Sequence, residues 1–199
     1  MPTRLVVATS NRHKVREIRE ILTGLSVELL TLDAWPDVDA PEETGRTFEE
    51  NARLKARYYA GVTGQLVVAE DSGLAIDALG GAPGIESARF GGTDASYPQK
   101  FALIYEALQK VGAVRPTARF VCALALAQPD TIVFEARGVV EGEIAPAPRG
   151  AGGFGYDPIF FYPPYGCTLA EATAAQKAAV SHRGQAFRRL REFLSNSRT

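Results

Sequence analysis

The fold is decided first by residues 5–22, whose sequence is LVVATSNRHKVREIREIL. The apolar run Leu5–Ala8 contains two β-branched valines and is typical of a short buried strand. The polar residues Thr9–Asn11 follow it, and apolar side chains then recur at helical spacing, at Val15, Ile18 and Leu22. The stretch therefore predicts a strand, a tight turn and a helix, with Ser10 or Asn11 available to cap the first free amide groups.

Later segments indicate that strands and helices alternate and that a hairpin follows them. Residues Thr47–Glu50 form a capping box that predicts the start of a second helix. Leu66–Ala69 is typical of a short strand, which we expect to break at the polar residues Glu70–Gly73. Arg119–Ala127 and Thr131–Glu141 flank a short connection that favours an antiparallel hairpin. The pattern predicts an α/β fold with a mixed central β-sheet flanked by helices.

Length and composition limit the classes of protein to which the chain can belong. At 199 residues it has the size of one domain, so we expect a single α/β domain over residues 1–199, in two lobes with the active-site cleft between them. Lys and Arg number 22 and Asp and Glu number 23, which gives a net charge of −1. The basic excess of a nucleic-acid-binding protein is missing, so any anionic ligand has to be held by a local cluster.

The apolar runs are too short for a membrane protein or a secretory signal. The longest, Phe120–Ala127, falls far short of the ~20 residues that span a bilayer, and Leu5–Ala8 is too short for the apolar core of a signal peptide. We therefore expect a cytoplasmic protein without a membrane partner. Cys122 and Cys167 form neither a disulfide framework nor a zinc site, and we expect buried thiols without a role in chemistry.

The turn at residues 9–14 has the chemistry of a phosphate site. Free amide groups at the start of a helix, two hydroxyl groups and the ammonium of Lys14 all favour negative charge there. The glycines of a P-loop are absent. The alternative is a capped helix that carries a solvated Lys14 and binds nothing.

Carboxylates gather near the predicted end of the third strand. Glu70 and Asp71 are adjacent there, and Glu42 and Glu43 lie upstream. Converging carboxylates suit Mg²⁺, and one of them could orient an attacking water; the alternative is a solvated acidic turn. Asp71-Ser72-Gly73 also allows a serine nucleophile, but the chain has no Gly-x-Ser-x-Gly elbow and only two histidines, so a serine hydrolase is the weaker hypothesis.

Residues 150–155 have the sequence GAGGFG and match the dinucleotide-binding glycine pattern. That pattern requires a strand before it and a helix directly after it, whereas prolines and aromatic residues surround it here. A close-approach loop with Phe154 and Tyr156 is better suited to stacking on a flat base, with Asp157 as a hydrogen-bond acceptor. The alternative is a glycine turn whose aromatic side chains pack in the core.

Basic residues open the last predicted helix, which Ser181 caps. His182 and Arg183 occupy its first turn, where the helix dipole favours acidic residues instead, and Lys177 precedes them. An anionic or carbonyl-bearing ligand could offset these positive charges. The alternative is simple exposure at the surface.

The motifs occur together and in order along almost the whole chain. They comprise Thr9-Ser10-Asn11 with Lys14, Phe48–Ala52 with Lys55-Ala56, Glu70–Leu74, Leu79–Ile85 with Ser87–Arg89, Gly153–Pro158, and Ser181–Gly184. In this combination the chain resembles the inosine triphosphate pyrophosphatase family. The resemblance implies hydrolysis of the purine nucleoside triphosphates ITP, dITP and XTP to the monophosphate and pyrophosphate, a homodimer and a requirement for Mg²⁺.

The resemblance also implies roles for individual residues. Asp71 would be the proton acceptor that activates water, and the magnesium carboxylates would be Asp71 and Glu42, which we favour over Glu43 because it directly follows a proline. The substrate-binding residues would be Thr9, Ser10, Asn11, Arg12, His13 and Lys14 for the phosphates, Ser72, and for the nucleoside Phe154, Gly155, Tyr156, Asp157, Lys177, His182 and Arg183. Ser10 stands where many members have Gly, and Glu70 where many have Asp. The competing hypotheses are a dinucleotide-binding redox protein and a non-catalytic nucleotide-binding module.

Overall fold

The computed structural model describes residues 3–196, which form a seven-stranded sheet and five α-helices. The strands are β1 (Thr3–Val7), β2 (Val27–Thr31), β3 (Leu66–Ile76), β4 (Thr117–Gln128), β5 (Thr131–Ile144), β6 (Phe160–Tyr162) and β7 (Cys167–Thr168). The helices are α1 (Arg12–Leu22), α2 (Phe48–Thr63), α3 (Tyr97–Lys110), α4 (Ala174–Val180) and α5 (His182–Asn196). The strand, turn and helix predicted for residues 5–22 are present.

The sheet is mixed, as the sequence predicts. Its strand order is β2-β1-β3-β4-β5-β6-β7. Strand β1 pairs in parallel with both β2 and β3, whereas β6 pairs antiparallel with β5 and β7. Parallel pairing at one side follows from the helical crossovers α1 and α2, whereas β6 and β7 are antiparallel and joined by a short connection.

The predicted break at Glu70–Gly73 is wrong, because β3 runs without interruption from Leu66 to Ile76. Glu70 and Asp71 are therefore strand residues, and both are buried. Close packing keeps the segment extended beyond them, since a Cβ atom on Gly73 would clash with the carbonyl oxygen of Gly84. The polar composition indicated a turn, but tertiary packing overrides that local preference.

The described chain divides into two compact units. The first takes in the residues up to Asp71, Cys122–Gly138 and the residues from His182 onward, and the second takes in Ser72–Val121 and Val139–Ser181. Each unit has its own apolar core. Ile18 and Phe187 are fully buried in the first, and Ile104 and Phe160 in the second.

Two expectations about composition can be compared with the structure. No helix within residues 3–196 is both long and apolar enough to cross a membrane. Cys122 is buried, Cys167 is partly exposed, and both are free thiols.

Candidate active site

The turn before α1 holds its polar groups in a defined arrangement. Asn11, rather than Ser10, caps the helix: its Oδ1 accepts hydrogen bonds from the amides of His13 at 3.0 Å and Lys14 at 3.3 Å. The hydroxyl of Thr9 accepts a further bond from the Asn11 amide at 3.2 Å. Lys14 is not solvated, since its Nζ lies 2.5 Å from Oε1 of Glu70. The helix is therefore capped, as the alternative expected, but its lysine is in an ion pair instead of solvated. The phosphate site stays a prediction.

Asp71 lies at the centre of a polar cluster built from β3 and α2. Its Oδ2 accepts a hydrogen bond from Nδ2 of Asn51 at 3.2 Å, and its Oδ1 accepts one from Nζ of Lys55 at 3.2 Å. Lys55 also donates to Oε1 of Glu43 at 2.8 Å. Asn51 and Lys55 share one face of α2 because they are four residues apart, and Thr47 fixes the start of that helix by accepting from the Glu50 amide.

The electrostatics of this cluster favour an uncharged Asp71 more than water would. Burial raises the pKa of Asp71; Lys55 lowers it, and the charges of Glu43 and Glu70 raise it, so that the net pKa is raised. For Lys55 burial lowers the pKa, but the three carboxylates outweigh this effect and the net pKa is raised. A carboxylate with a raised pKa beside two further acids is the environment of a general base.

The donor set around Asp71 fits a hard divalent cation. Glu43 and Asp71 present carboxylate oxygens to one shared ammonium, and Mg²⁺ in proteins takes one or two carboxylates together with substrate phosphates. Residues 3–196 contain no group of three or more His, Cys, Asp or Glu side chains arranged to hold a metal. Glu42, favoured from the sequence, is exposed, and Glu43 is the member of the pair whose carboxylate shares Lys55 with Asp71.

Glu70 forms a second, more deeply buried cluster next to the first. Besides Lys14, its Oε1 faces Nη2 of Arg183 at 3.6 Å, and its Oε2 accepts a hydrogen bond from Sγ of Cys122 at 3.4 Å. Burial would raise the pKa of Glu70, but the charges of Lys14 and Arg183 hold it well below its usual range. The carboxylate is therefore ionised, and it offsets part of the positive charge of the two cations.

The first turn of α5 is buried, so the alternative of simple exposure is wrong for His182 and Arg183. Nη1 of Arg183 donates to Oε2 of Glu17 at 2.9 Å, and Glu70 faces its other terminal nitrogen. The carboxylates of Glu17 and Glu70 therefore offset the positive charge of Arg183 at the positive end of the α5 dipole. Strand β5 approaches the same turn closely, because a Cβ atom on Gly138 would clash with the carbonyl oxygen of His182.

The glycine loop, in the second unit, is organised around Asp157. Oδ2 of this buried carboxylate accepts hydrogen bonds from the Phe154 amide at 2.8 Å and from Nζ of Lys177 at 2.7 Å. The Lys177 ammonium also lies 4.4 Å from the centre of the Phe154 ring. Gly153 and Gly155 both adopt positive φ, near +68° and +69°, which an L side chain rarely does.

The loop composition predicted that Tyr156 stacks on a base, but its side chain is buried in the protein. Its ring is buried in the core of the second unit, edge-on to Tyr97 at 5.3 Å, and its hydroxyl donates to the carbonyl of Ser87 at 2.8 Å. Phe154 is partly exposed and remains the aromatic candidate for a base. After the glycines the next α-helix within the described residues begins at Ala174, so the loop lacks the helix of a dinucleotide-binding motif.

The structure thus brings the predicted site residues together in two sets. In the first unit Lys14 and Arg183 meet at Glu70, and Asp71 is the next residue of β3, with its own partners Asn51 and Lys55. In the second unit Phe154, Asp157 and Lys177 meet. Ser10, Arg12 and His13 lie exposed beside the capped turn, and Ser72 is partly exposed on β3.

Nothing in the sequence indicated that Asn51 and Lys55 contact Asp71 or that Glu17 contacts Arg183. The four-residue spacing after the capping box could have placed Asn51 and Lys55 on one face of a helix, but it does not say which face meets Asp71.

Acids and bases are buried and paired across β3, α1, α2 and α5. Removing such charges from water is costly, and clusters of this kind are typical of enzyme active sites. The molecule is therefore an α/β protein with an enzyme-like polar centre. Comparison with known sequences is more specific: the chain belongs to the Ham1 family, whose sequence model matches residues 5–193.

Relatives and solved structures agree with this assignment. A protein of Exiguobacterium named dITP/XTP pyrophosphatase is 49% identical over 187 residues, covering 94% of each chain. A HAM1 protein from Coxiella burnetii superposes with a TM-score of 0.92 at 40% identity, over 98% of this chain and 99% of that one. A nucleoside-triphosphatase, or dITP/XTP pyrophosphatase, from Mycobacterium abscessus is 42% identical with a TM-score of 0.78, over 94% and 98%. The predicted family and α/β fold are confirmed.

Proposed function

We propose that this chain hydrolyses deaminated purine nucleoside triphosphates, ITP, dITP and XTP, to the nucleoside monophosphate and pyrophosphate. The observation that carries the proposal is the buried Asp71 carboxylate, held by Asn51 and Lys55 and adjacent to the pair that Glu70 forms with Lys14. Relatives that match over nearly their whole length are named dITP/XTP pyrophosphatase. A nicotinamide-dependent redox protein would need a helix behind the glycine loop, which the described residues lack.

The reaction begins with binding of the triphosphate at the start of α1. The positive end of the α1 dipole and the ammonium of Lys14 would supply positive charge for the phosphates. Lys14 can keep its contact with Glu70 while it binds phosphate, since an ammonium group has three N–H donors. Ser10, Arg12 and His13 border the same turn.

The chemical step is attack of water on the α-phosphorus. Asp71 takes a proton from that water, the bond from the α-phosphorus to its bridging oxygen breaks, and pyrophosphate leaves with the electron pair. Burial and the neighbouring acids raise the pKa of Asp71 and so make it a better proton acceptor, while Asn51 holds the carboxylate in one orientation. The Lys55 ammonium offsets part of the negative charge of this carboxylate.

Glu43 and Asp71 would hold Mg²⁺, which when bound supplies positive charge to the phosphates and the leaving group. This pair replaces the pair Glu42 and Asp71 expected from the sequence, because Glu43 shares Lys55 with Asp71.

The base would be recognised by donors and by one ring. His182 and Arg183 offer N–H groups, which suit a 6-keto oxygen and leave a 6-amino group unpaired, so adenine nucleotides are expected to be poor substrates. Phe154 would supply the aromatic ring, which the Lys177 ammonium contacts. Asp157 orders the loop that carries Phe154 by accepting a hydrogen bond from its amide. We also propose that the protein is cytoplasmic and acts as a homodimer, as the family resemblance implies.

Pyrophosphate release over a panel of purine nucleoside triphosphates, with Mg²⁺ and with excess chelator, tests the proposal. We expect release from ITP, dITP and XTP with Mg²⁺, at least about a hundredfold less from ATP, and none with chelator. Tight nucleotide binding without pyrophosphate release would instead identify a non-catalytic nucleotide-binding module.

A further inference from the structure

Glu70 has no chemical role in the proposed reaction, yet its buried carboxylate contacts Lys14, Arg183 and Cys122. Its side chain is 2% exposed, and one of its oxygens, Oε1, faces both Lys14 at 2.5 Å and Arg183 at 3.6 Å. Its other oxygen accepts from the Cys122 thiol. Two cations from separate helices therefore share one buried carboxylate oxygen.

The two cations reach Glu70 from the starts of two different helices. Lys14 lies in the first turn of α1 and Arg183 in the first turn of α5. Glu17, three residues beyond Lys14 on α1, binds the other terminal nitrogen of Arg183 at 2.9 Å. Arg183 is thus fixed from both sides, by α1 and by β3.

Removing one partner of a buried ionic group leaves the remaining charges poorly compensated. If Lys14 is lost, that oxygen of Glu70 loses one of its two cations and keeps Arg183, and the converse holds if Arg183 is lost. Side chains that share a partner in one ionic network have non-additive effects.

We propose that Glu70 is a positioning residue that couples the grip on the triphosphate to recognition of the base, by holding Lys14 and Arg183 on one oxygen. The proposal rests on the proposed function, in which these two cations contact opposite ends of one substrate. Glu70 acts only through them, and Asp71 performs the chemistry.

The first test is Glu70→Gln, which keeps the shape of the side chain and removes its charge. We expect KM for ITP to rise at least about tenfold, kcat to change less than about threefold, and the ratio of kcat/KM for ITP to that for ATP to fall at least about fivefold. A merely structural role would reduce the amount of folded enzyme, which lowers the apparent kcat for every nucleotide and leaves KM and the ratio unchanged. Glu70→Asp keeps the charge at a shorter reach and should restore most of the ratio.

The second test is a double-mutant cycle. Lys14→Met and Arg183→Lys are made singly and together, with Glu70 present and in the Glu70→Gln background. With Glu70 present, the combined effect on kcat/KM for ITP should differ from the product of the single effects by at least about fivefold; in the other background the effects should multiply within about twofold. Equal departure from the product in both backgrounds, or none in either, overturns the proposal.

A matched control is available on the surface of the same unit. Glu135 pairs with Arg53 at 2.5 Å, but both side chains are 41% exposed. Glu135→Gln removes an equally short ion pair, and KM and the ratio should stay within about twofold of the wild-type values, because exposed pairs contribute little. A control that behaves like Glu70→Gln would attribute the effect to charge in general and would overturn the proposal.

Two further outcomes remain decisive. If Glu70→Gln does not fold, the double-mutant cycle of Lys14 and Arg183 is measured on the equilibrium constant of unfolding of the nucleotide-free protein. A departure from the product of the single effects by at least about fivefold supports coupling of the two cations, and a simple product overturns it. Failure of the proposed function has a different signature, since the wild-type protein would then release no pyrophosphate from ITP, dITP or XTP. The unfolding cycle would still decide whether Glu70 couples the two cations.

Discussion

Lys55 carries one charge between two carboxylates, and this arrangement makes the site sensitive to single substitutions. Its Nζ contacts Glu43 at 2.8 Å and Asp71 at 3.2 Å, and its side chain is largely buried. One ammonium cannot neutralise two carboxylates, so the cluster retains negative charge. That residual charge favours both a proton on Asp71 and a cation beside it.

The first prediction concerns Asp71 as the proton acceptor. Asp71→Asn keeps the size of the side chain but cannot accept a proton, so kcat for ITP should fall by about 10²–10⁴. Nucleotide binding should survive, because Lys14 and the amides of the first turn are unchanged. An assay of pyrophosphate release measures kcat, and calorimetric titration with ITP measures nucleotide binding. A variant as active as the wild type would remove Asp71 from the mechanism.

The second prediction separates Glu43 from Glu42. Glu43→Gln removes a carboxylate that shares Lys55 with Asp71, and the Mg²⁺ concentration for half-maximal activity should rise about tenfold or more. Glu42→Gln changes an exposed side chain and serves as the matched control, with an unchanged requirement. The opposite ranking of the two variants would restore the choice made from the sequence.

Individual residues also show how far sequence reasoning reaches into the site. Lys14, Asp71 and Asp157 could be selected as candidates from the sequence, because each belongs to a short motif whose residue types suit one task, and their roles stay predictions. The partners of those residues could not be predicted in the same way. Lys14 meets Glu70 across 56 positions and Arg183 meets Glu17 across 166, and no local pattern in a single sequence reports such contacts.

At the level of elements, local propensity failed where packing is tightest. The composition of residues 70–73 indicated a turn, yet β3 continues through it because the segment that contains Gly84 and Ser87 packs against the strand: the Ser87 hydroxyl accepts from the Leu74 amide, and the Gly84 carbonyl lies close to Gly73. The helix α1 and its cap were predictable, since periodicity and capping act over one or two turns. The pairing partners in the sheet depend on the whole chain.

The third prediction tests the close approach of β5 to α5. Gly138→Ala places a methyl group against the His182 carbonyl, so we expect the free energy of unfolding to fall by about 1–3 kcal/mol or more. Gly61→Ala on α2 is the control: no atom lies within 4 Å of the added methyl group, and alanine should stabilise the helix by about 0.5–1 kcal/mol. Urea denaturation measures both, and equal effects would argue against a close approach.

For the whole molecule, a net charge of −1 means that binding of a highly charged anion depends on where charges lie, not on their sum. Positive charge is held close to buried carboxylates at Lys14 and Arg183, so it is in place before the substrate arrives. Prepositioned charges need little rearrangement on binding, and their loss should be felt mainly in affinity. The neutral balance that excludes a broad nucleic-acid surface is therefore compatible with a nucleotide site.

The fourth prediction follows from linkage between binding and folding. In the Asp71→Asn variant, which should bind without turnover, ITP with Mg²⁺ at 100 times its Kd should add about 2.7 kcal/mol to the free energy of unfolding. For a chain of this size each kcal/mol corresponds to about 2–4 °C, so the melting temperature should rise by about 5–10 °C. ATP at the same concentration should give less than about half of that rise, since a 6-amino group meets donors at His182 and Arg183. Equal shifts with both nucleotides would contradict selection at the base, and a Lys14→Met substitution in the same variant should reduce the shift with ITP because it removes a charge from the phosphate end.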